Sequence, residues 1–271
     1  MDVRLTDADF SRIVNYIHGN YGINLIKKRV LIEGRLSNLT VEKGCQSFKE
    51  YFDLVFSDPS GKEVREMVNR LTTNHTFFLR EPEHFEFLKK VVLPRIEQTV
   101  RDKDARIWCA ASSTGEEPYT LAMVIDEYFG AKKAEWDLKI LATDISTAAL
   151  EKARKAEYSA ESVKTLPAEW VNKYFEKISD STYRVRAFLR GEVVFRQFNL
   201  MDKIIYKKPF DLISCRNVMI YFDTPTKDAL IDRMYDAMKN QSYLFIGHAE
   251  SISKNSRFTY IQPAIYQKKE T

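Results

Sequence analysis

The hydrophobic pattern changes near Arg106, and this change constrains the fold more than any other feature of the sequence. Before it, apolar residues recur at helical spacing, whereas after it short apolar runs alternate with helical patterns. Strands that alternate with helices are typical of a parallel sheet with crossover helices. A chain of 271 residues is also long enough for two cores. We therefore predict an all-helical bundle domain over 1–72, a linker over 73–81 and an α/β domain over 82–271.

The N-terminal part of the chain shows helical patterns and no strand pattern. Thr6 is suited to cap the first helix, and Gly22 marks its end. The polar and aromatic segment 72–80 breaks the helical pattern. Further helices are predicted before Gly44 and over 48–55, 64–71 and 82–100.

The remainder of the chain predicts an alternation of strands and helices. The strands are expected at 107–111, 138–143, 210–215 and 242–247, and the helices at 116–129, 147–156 and 225–239. The segment 183–198 instead alternates polar and apolar residues around Gly191, which is typical of an antiparallel hairpin. We interpret it as a small antiparallel β insertion at about 180–198.

Charge and cysteine content argue against several classes of function. A formal net charge of +4 is too weak to indicate nucleic-acid binding. Cys45, Cys109 and Cys215 lack the spacing of a metal site or of a disulfide framework. Free thiols fit a reducing cytosol, and no apolar stretch is long enough to cross a bilayer. We expect a cytoplasmic monomer without a metal, without nucleic acid and without membrane insertion.

The turn after the first predicted strand is a candidate cofactor site. It reads AASSTGEEPY, so the dinucleotide fingerprint G-x-G-x-x-G is absent. Glu116 and Glu117 at the start of the next helix disfavour a phosphate and suit a cofactor that carries a sulfonium and an amine. The alternative is that both glutamates only stabilise the helix dipole.

Asp144 follows the second predicted strand, where an acidic residue typically accepts hydrogen bonds from ribose hydroxyls. The alternative is that it caps the next helix, a role for which it competes with Ser146. The spacing between Glu117 and Asp144 in the sequence favours the ribose interpretation for Asp144. These features alone fit several cofactors.

Longer strings narrow this choice. They are TTNHTFFLREPEHF at 72–85, STGEEPYTLAM at 113–123, FNL at 198–200, CRNVMIYFD at 215–223 and GHAES at 247–251. In order and spacing they resemble the chemotaxis receptor glutamate methyltransferases, the CheR family, as do GINLIKKR at 22–29 and GRL at 34–36. Two positions differ from the family. Leu79 stands where many members have an aromatic residue, and Ala110 and Ala111 stand where the family has a more glycine-rich loop. The resemblance covers nearly the whole chain. It implies a Rossmann-like methyltransferase domain that uses S-adenosylmethionine and releases S-adenosylhomocysteine.

The resemblance also assigns cofactor contacts from the linker and from the first two strands. Asn74, Thr76 and Arg80 would contact S-adenosylmethionine from the N-terminal side. Glu117 would bind the methionine amine or the ribose side of the cofactor. Asp144 would hold the ribose.

The loops after later strands would complete the pocket. Asn199 and Leu200 would flank the adenine. Arg216 and Asn217 would close the pocket beneath the methionine moiety, and Tyr221 would lie near the methyl group.

Two of these residues, Arg80 and Tyr221, are predicted to act in catalysis. A glutamate carboxylate is already ionised at neutral pH, so methyl transfer to it needs orientation and no general base. Arg80 would hold the incoming carboxylate through two donors; the alternative is an ion pair with Glu81 or Glu83. Tyr221 would position the substrate or contact the sulfonium with its ring; the alternative is ordinary packing.

The resemblance implies that the substrates are cytoplasmic domains of methyl-accepting chemotaxis receptors. The basic cluster Lys27, Lys28, Arg29 and Arg35 would dock on acidic receptor helices, with a solvated helix face as the alternative. The β insertion could bind a receptor C-terminal tether peptide as an extra strand, as in some members of the family. Three other functions stay open: a methyltransferase for another substrate, a non-catalytic adaptor, and a nicotinamide dehydrogenase, which the missing glycine fingerprint opposes.

Overall fold

The computed structural model of the chain describes residues 3–269. The predicted domain ranges also include residues 1, 2, 270 and 271, which lie outside the described residues. Within the described part, an N-terminal helical bundle packs against an α/β domain. No helix in this part is long and apolar enough to span a membrane.

The bundle begins where the sequence predicts. The Thr6 hydroxyl accepts a hydrogen bond from the Asp9 amide at 3.1 Å and caps the first helix, and Gly22 ends it with a φ of 71°. A Cβ at Gly22 would lie 2.5 Å from the sulfur of Met201, so glycine is also required by the close approach of the α/β domain. The helices of the bundle are α1 Asp7–Tyr21, α2 Arg29–Glu42, α3 Phe48–Ser57 and α4 Lys62–Leu71.

Helical structure resumes after the segment 72–82 in one uninterrupted run. The run consists of α5 Glu83–Phe87, a π-helical turn Leu88–Val92 and α6 Leu93–Thr99. The predicted helix over 82–100 is therefore present, with a π-helical middle. Pro94 lies in the first turn of α6, directly after the π-helical turn. The lack of a backbone N–H in proline is tolerated at this position.

The α/β domain contains a seven-stranded sheet in the order β6-β2-β1-β7-β8-β10-β9. Pairing is parallel from β6 through β8, whereas β10 pairs antiparallel with both β8 and β9. The strands are β1 Ile107–Ala110, β2 Ile140–Asp144, β3 Glu157–Ser159, β4 Phe175–Lys177, β5 Thr182–Val185, β6 Val193–Gln197, β7 Phe210–Cys215, β8 Met238–Ile246, β9 Phe258–Gln262 and β10 Ile265–Lys268. The predicted fold class, a helical bundle with a Rossmann-like methyltransferase domain and a small antiparallel sheet, is confirmed.

Helices and short turns connect these strands. Because β1, β2 and β7 are parallel neighbours, their carboxyl ends and the loops that follow them meet at one edge of the sheet. The α-helices are α7 Glu116–Phe129, α8 Thr147–Lys155, α9 Ala160–Val163, α10 Ala168–Tyr174, α11 Ala187–Arg190 and α12 Thr224–Asp236. Two 3-10 turns cover Gly130–Glu135 and Met219–Tyr221.

The predicted hairpin over 183–198 is wrong. β5 pairs antiparallel with β3 and β4 in a separate three-stranded sheet, whereas β6 pairs parallel with β2 at the edge of the main sheet. The short helix α11 lies between β5 and β6. Alternating polarity shows that a strand has one buried face, and Val193 and Phe195 are indeed buried, but it does not identify the partner strand.

The bundle and the α/β domain are joined by polar contacts beside the carboxyl ends of the strands. The side chain of Asn69 on α4 accepts a hydrogen bond from the Ser146 hydroxyl and donates one to the Thr147 hydroxyl, each at 3.0 Å. The Asn24 amide donates to the Tyr221 carbonyl at 2.7 Å. These contacts place the segment after α1 directly over the loops that follow the strands.

Candidate active site

A cavity of about 290 Å³ lies between the bundle and the carboxyl ends of the parallel strands. Its size is at the lower end of the range of small-molecule pockets. Every residue that the sequence analysis assigned to the site lines this cavity: Asn74, Thr76, Arg80, Glu117, Asp144, Asn199, Leu200, Arg216, Asn217 and Tyr221. The structure thus brings the ten residues together, and their individual roles stay predictions.

The turn between β1 and α7 approaches the cavity with an unusual backbone. Ala111, Ser113 and Gly115 have φ values of 64°, 50° and 98°, in the left-handed region. A Cβ at Gly115 would lie 2.8 Å from the Tyr158 hydroxyl and 2.9 Å from the Ala153 Cβ, so only glycine fits there. Ser112 is among the lining residues, and its hydroxyl oxygen is buried without a hydrogen-bond partner among the described residues. A ligand with hydroxyl or amine groups would satisfy it.

Asp144 at the end of β2 is buried and holds this turn in place. One carboxylate oxygen accepts a hydrogen bond from the Ser113 amide at 2.8 Å, and the other accepts one from the Ser146 amide at 2.8 Å. Burial raises the pKa of the Asp144 carboxyl, against the effect of these amides. The cap of α8 is the hydroxyl of Ser146, which accepts from the Ala149 amide. The capping alternative for Asp144 is therefore wrong, since Ser146 takes that role.

The two glutamates at the start of α7 have different surroundings. Glu117 lines the cavity, and its carboxylate accepts a hydrogen bond from the Ser214 hydroxyl at 2.5 Å. Glu116 is buried away from the cavity lining and accepts a hydrogen bond from the Thr114 hydroxyl at 2.6 Å. Burial raises the pKa of the Glu116 carboxyl. Only Glu117 is thus placed to meet a ligand in this cavity.

Arg216 lies beneath the cavity and connects two glutamates. Its guanidinium lies 3.1 Å from the Glu117 carboxylate and 3.2 Å from the Glu81 carboxylate, and its side chain is only 1% exposed. It also donates to the Arg80 carbonyl and lies over the ring of Phe85, 5.3 Å from the centroid. Burial acts to raise the pKa of Glu81, but hydrogen bonds from Asn217 and the charge of Arg216 outweigh it and lower that pKa.

Arg80 keeps most of its donors available for a ligand. Its guanidinium donates to the His75 carbonyl at 2.8 Å and lies over the Phe77 ring, 5.8 Å from the centroid. The described residues provide no carboxylate that pairs with it. The alternative of an ion pair with Glu81 or Glu83 is therefore wrong, because Glu81 pairs with Arg216 instead.

The remaining predicted residues lie on loops that contact the bundle. The Asn199 side chain donates to the Asn20 carbonyl at 2.7 Å, and the Leu200 carbonyl accepts from Arg233 at 2.7 Å. Tyr221 ends the 3-10 turn, and its carbonyl accepts from the Asn24 amide. Tyr221 is partly exposed and lines the cavity, and its catalytic role stays a prediction.

The bundle also contributes to the cavity, which the sequence did not predict. The segment between α1 and α2 and the end of α4 supply lining residues, namely Tyr21, Ile23, Asn24, Leu25, Lys28, Leu31, Leu71, Thr72 and Thr73. The string GINLIKKR at 22–29 belongs to the family-like motifs, but by itself it indicates only a break followed by a helix.

A group of potential metal ligands also lies close to the site. The ligand atoms of Glu81, His84 and His248 lie within 4.8 Å of one another. Burial lowers the pKa of His84 to about 3, so its ring is neutral at physiological pH. The Glu81 carboxylate, however, already binds the Arg216 guanidinium and the Asn217 amide group at 3.0 Å. Because the guanidinium opposes a second cation there, we assign no metal to this group.

Models of protein families match the chain in two parts. The model described as CheR methyltransferase, all-alpha domain, matches residues 8–72, and the one described as CheR methyltransferase, SAM binding domain, matches residues 74–266. The chain is 40% identical to the chemotaxis protein methyltransferase of Borreliella burgdorferi, over 99% of this chain and 96% of that protein. It is 37% identical to the chemotaxis protein methyltransferase of Escherichia coli, over 97% of this chain and 91% of that protein. It is 34% identical to chemotaxis protein methyltransferase 2 of Vibrio cholerae, over 96% and 91%.

Proposed function

The chain belongs to the CheR family of S-adenosylmethionine-dependent chemotaxis protein methyltransferases, and we propose that it forms methyl esters on glutamate side chains of chemotaxis receptors. The observation that carries this proposal is the cavity at the ends of β1, β2 and β7, which gathers all ten predicted site residues, nine of them from the family-like strings. When bound there, S-adenosylmethionine supplies an electrophilic methyl group on a sulfonium. The chain supplies recognition, orientation and exclusion of water.

The charges around the cavity fit a cationic cofactor. Glu117 and Asp144 line the cavity, and the buried guanidinium of Arg216 is shared between Glu117 and Glu81. One guanidinium is therefore shared by two carboxylates and neutralises Glu117 only in part, while Lys28 and Arg80 also line the cavity. Glu117 would bind the amine of the methionine moiety, and Asp144 would accept hydrogen bonds from the ribose.

The other lining residues would fix the orientation of the cofactor. Asn74 and Thr76 would contact it from the linker, with the Ser113 hydroxyl bonded to the Asn74 carbonyl at 3.2 Å. Asn199 and Leu200 would flank the adenine. Arg216 and Asn217 would support the methionine end, as the resemblance implies.

Arg80 and Tyr221 are the proposed catalytic residues. The receptor carboxylate is ionised at neutral pH, so the chain needs no base to activate it. Arg80 would hold that carboxylate with the donors that His75 leaves available. Tyr221 would orient the carboxylate or contact the sulfonium. The rate enhancement then comes mainly from proximity and orientation.

A basic surface at the start of α2 is the proposed docking site for the receptor cytoplasmic domain. Lys27 and Lys28 border a groove beside Ile26 and Val30, which are 62% and 82% exposed. Arg29 is already paired with Asp7, so the docking charge rests on the two lysines.

Arg35, the fourth member of the predicted basic cluster, contributes less to this surface. Its guanidinium donates to the Leu71 carbonyl at 2.6 Å and to the Thr73 hydroxyl at 2.9 Å. It therefore fixes the segment that leads into the cavity.

The three-stranded sheet is the proposed site for a receptor tether peptide. β5 is its central strand, and β3 and β4 are its edges. An extended C-terminal receptor peptide would add to one of these edges through main-chain hydrogen bonds.

Because receptor cytoplasmic domains are the proposed substrates, we place the protein in the cytoplasm. We further propose that it is a monomer.

Methyl transfer from labelled S-adenosylmethionine to receptor-containing membranes tests this function. Esters hydrolyse in base and N-methyl groups do not, so the expected result is receptor label that leaves as methanol in base. Arg80→Ala should abolish most of this label, whereas Arg101→Ala, at an exposed position, should retain it. Base-stable label, or cofactor binding without receptor label, would contradict a receptor carboxyl methyltransferase.

A further inference from the structure

Glu250, in the string GHAES, has no role in the site described so far, yet its carboxylate anchors one of the loops of the cavity. One oxygen accepts hydrogen bonds from the Gly247 amide at 2.6 Å and the Asn217 amide at 3.0 Å. The other accepts one from the Ile220 amide at 3.2 Å. The Met219 amide is a further backbone donor to the same carboxylate. One side chain thus collects the amides of two separate chain segments.

The loop after β7 needs such a partner because of its backbone shape. Asn217 has a φ of 57°, in the left-handed region, and a 3-10 turn over Met219–Tyr221 follows immediately. The first amides of a helical turn point toward its N-terminal end and have no partners in the turn itself. A carboxylate that accepts several of them stabilises both the turn and the unfavourable φ of Asn217.

The packing around the anchor leaves little room for another arrangement. A Cβ at Gly247 would lie 2.3 Å from the side-chain nitrogen of Asn217 and 2.9 Å from its backbone nitrogen. The Asn217 side chain in turn donates to Glu81 at 3.0 Å. Asn217 is therefore held by Glu250 at its backbone and by Glu81 at its side chain.

The same loop carries three of the predicted site residues, Arg216, Asn217 and Tyr221, which all line the cavity. The Tyr221 carbonyl also accepts a hydrogen bond from the Asn24 amide, and Phe222 forms an antiparallel bridge with Ile23. A shift of this loop would consequently move cofactor-contacting side chains and the bundle segment that covers them. Glu250 itself does not line the cavity.

We propose that Glu250 is a positioning residue for S-adenosylmethionine, which sets the loop 215–222 so that Asn217 and Tyr221 meet the bound cofactor. The proposal rests on the methyl-transfer function above and adds a residue whose effect is transmitted through the backbone. Glu250 acts before the cofactor arrives, by removing alternative conformations of the loop. Its loss should therefore weaken cofactor binding even where the fold persists.

Glu250→Gln is the first test variant, because it keeps the shape of the side chain and replaces one acceptor oxygen by a donor. Glu250→Ala removes the anchor altogether and serves as the second variant. Glu169→Gln, at an exposed position on α10, is the matched control. The measurements are calorimetric titration with S-adenosylmethionine and with S-adenosylhomocysteine, thermal unfolding, and hydrogen exchange of peptides that cover 215–222.

For Glu250→Gln we expect about tenfold weaker binding of both ligands, the loss typical of one charge-assisted hydrogen bond. We also expect faster amide exchange in 215–222, with exchange in α3 and α4, which lie away from this loop in the sequence, unchanged. A purely structural role would lower the melting temperature and leave the affinity of the folded protein unaltered, and that result would overturn the proposal. Wild-type affinity and wild-type exchange in Glu250→Gln would overturn it as well. Failure of the unaltered protein to bind either ligand would instead contradict the methyltransferase function itself.

Discussion

Glu117 at the start of α7 and Arg216 after β7 form a buried ion pair at 3.1 Å across the carboxyl ends of two adjacent strands. The pair joins the two motifs that carry most of the resemblance, STGEEPY and CRNVMIYF, although nearly 100 residues separate them in the chain. Because Arg216 also binds Glu81, its single positive charge is shared between two carboxylates. This arrangement makes Glu117 the central acidic residue of the cavity.

Replacing Glu117 by glutamine should weaken S-adenosylmethionine binding by about 10- to 100-fold, the loss expected for a hydrogen bond to a charged group. Glu116→Gln is the matched control, because Glu116 lies on the same turn but away from the cavity lining. Calorimetric titration of both variants makes the comparison. Equal affinities would show that the Glu117 carboxylate does not contribute to binding of the cofactor.

Arg80→Ala should lower receptor methylation at saturating cofactor by about 100-fold, the scale of losing one oriented donor at a reacting group. Its melting temperature should stay close to that of the wild type, because the only described hydrogen bond of the guanidinium is to the His75 carbonyl. Arg80→Lys should restore the charge but not the two-donor geometry, so its recovery should be partial. Full activity in Arg80→Lys would argue against bidentate binding of the receptor carboxylate.

Asn69→Ala should destabilise the contact between the bundle and the α/β domain. The variant loses hydrogen bonds to Ser146 and Thr147, so we expect about 1–2 kcal/mol less unfolding free energy in urea. Asn172→Ala, at an exposed position on α10, should cause little change. If both variants unfold at the same urea concentration, the contact does not contribute to stability.

Asp223 should make the stability of the fold depend on pH in the acid range. Its carboxylate caps α12 through the Thr226 amide and lies 2.8 Å from the His18 ring. Hydrogen bonds from Thr226 are the largest cause, and with that from His18 they lower the pKa of Asp223 from 3.8 to about 2.

A carboxyl with a lowered pKa stabilises the folded state above its unfolded-state pKa and loses that effect as the pH falls through the folded-state value. Asp223→Ala should thus cost about 1 kcal/mol near neutral pH, as expected for a lost helix cap. The difference from the wild type should shrink between about pH 4 and pH 2. Urea unfolding across this range measures it, with Asp202→Ala as an exposed control. A difference that persists unchanged at pH 2 would contradict the assignment.

Lys27→Glu should reduce receptor methylation without a change in cofactor affinity. The reversal places a negative charge on the groove of α2, so the KM for receptor membranes should rise, and less so at high salt, where such interactions are screened. Lys254→Glu, at an exposed position remote in sequence, is the control. An unchanged KM would remove this surface from the receptor interface.

The sequence predicted most of the fold because its main signals are local. Thr6 and Gly22 bracket α1, and continuous apolar runs identify β1, β2 and β7. Pairing between strands is a non-local property, and for that reason the hairpin over 183–198 was wrong. β3 and β4 have three residues each, too few for a period of two to be recognised.

The residues of the site were predictable from motifs, but the hydrogen bonds and ion pairs among them were not. Nine of the ten residues belong to recognisable strings, Asp144 follows a predicted strand, and all ten line the cavity. The choice of Arg216 over Arg80 as partner of Glu81 depends on a contact across 135 residues. The anchoring of Asn217 by Glu250 likewise depends on where β7 and β8 end side by side. Neither contact produces a periodicity or a spacing that can be recognised in the sequence.

The central claim is that this cavity directs a methyl group to a receptor glutamate. The most direct measurement uses S-adenosylmethionine with an isotopically labelled methyl group, a purified receptor cytoplasmic domain and tandem mass spectrometry of the receptor peptides. We predict the label on glutamate side chains as a base-labile ester, with the signal strongly reduced for Glu117→Gln and retained for Glu116→Gln. Label on a nitrogen-containing side chain, or no label in a protein that binds the cofactor, would contradict this account.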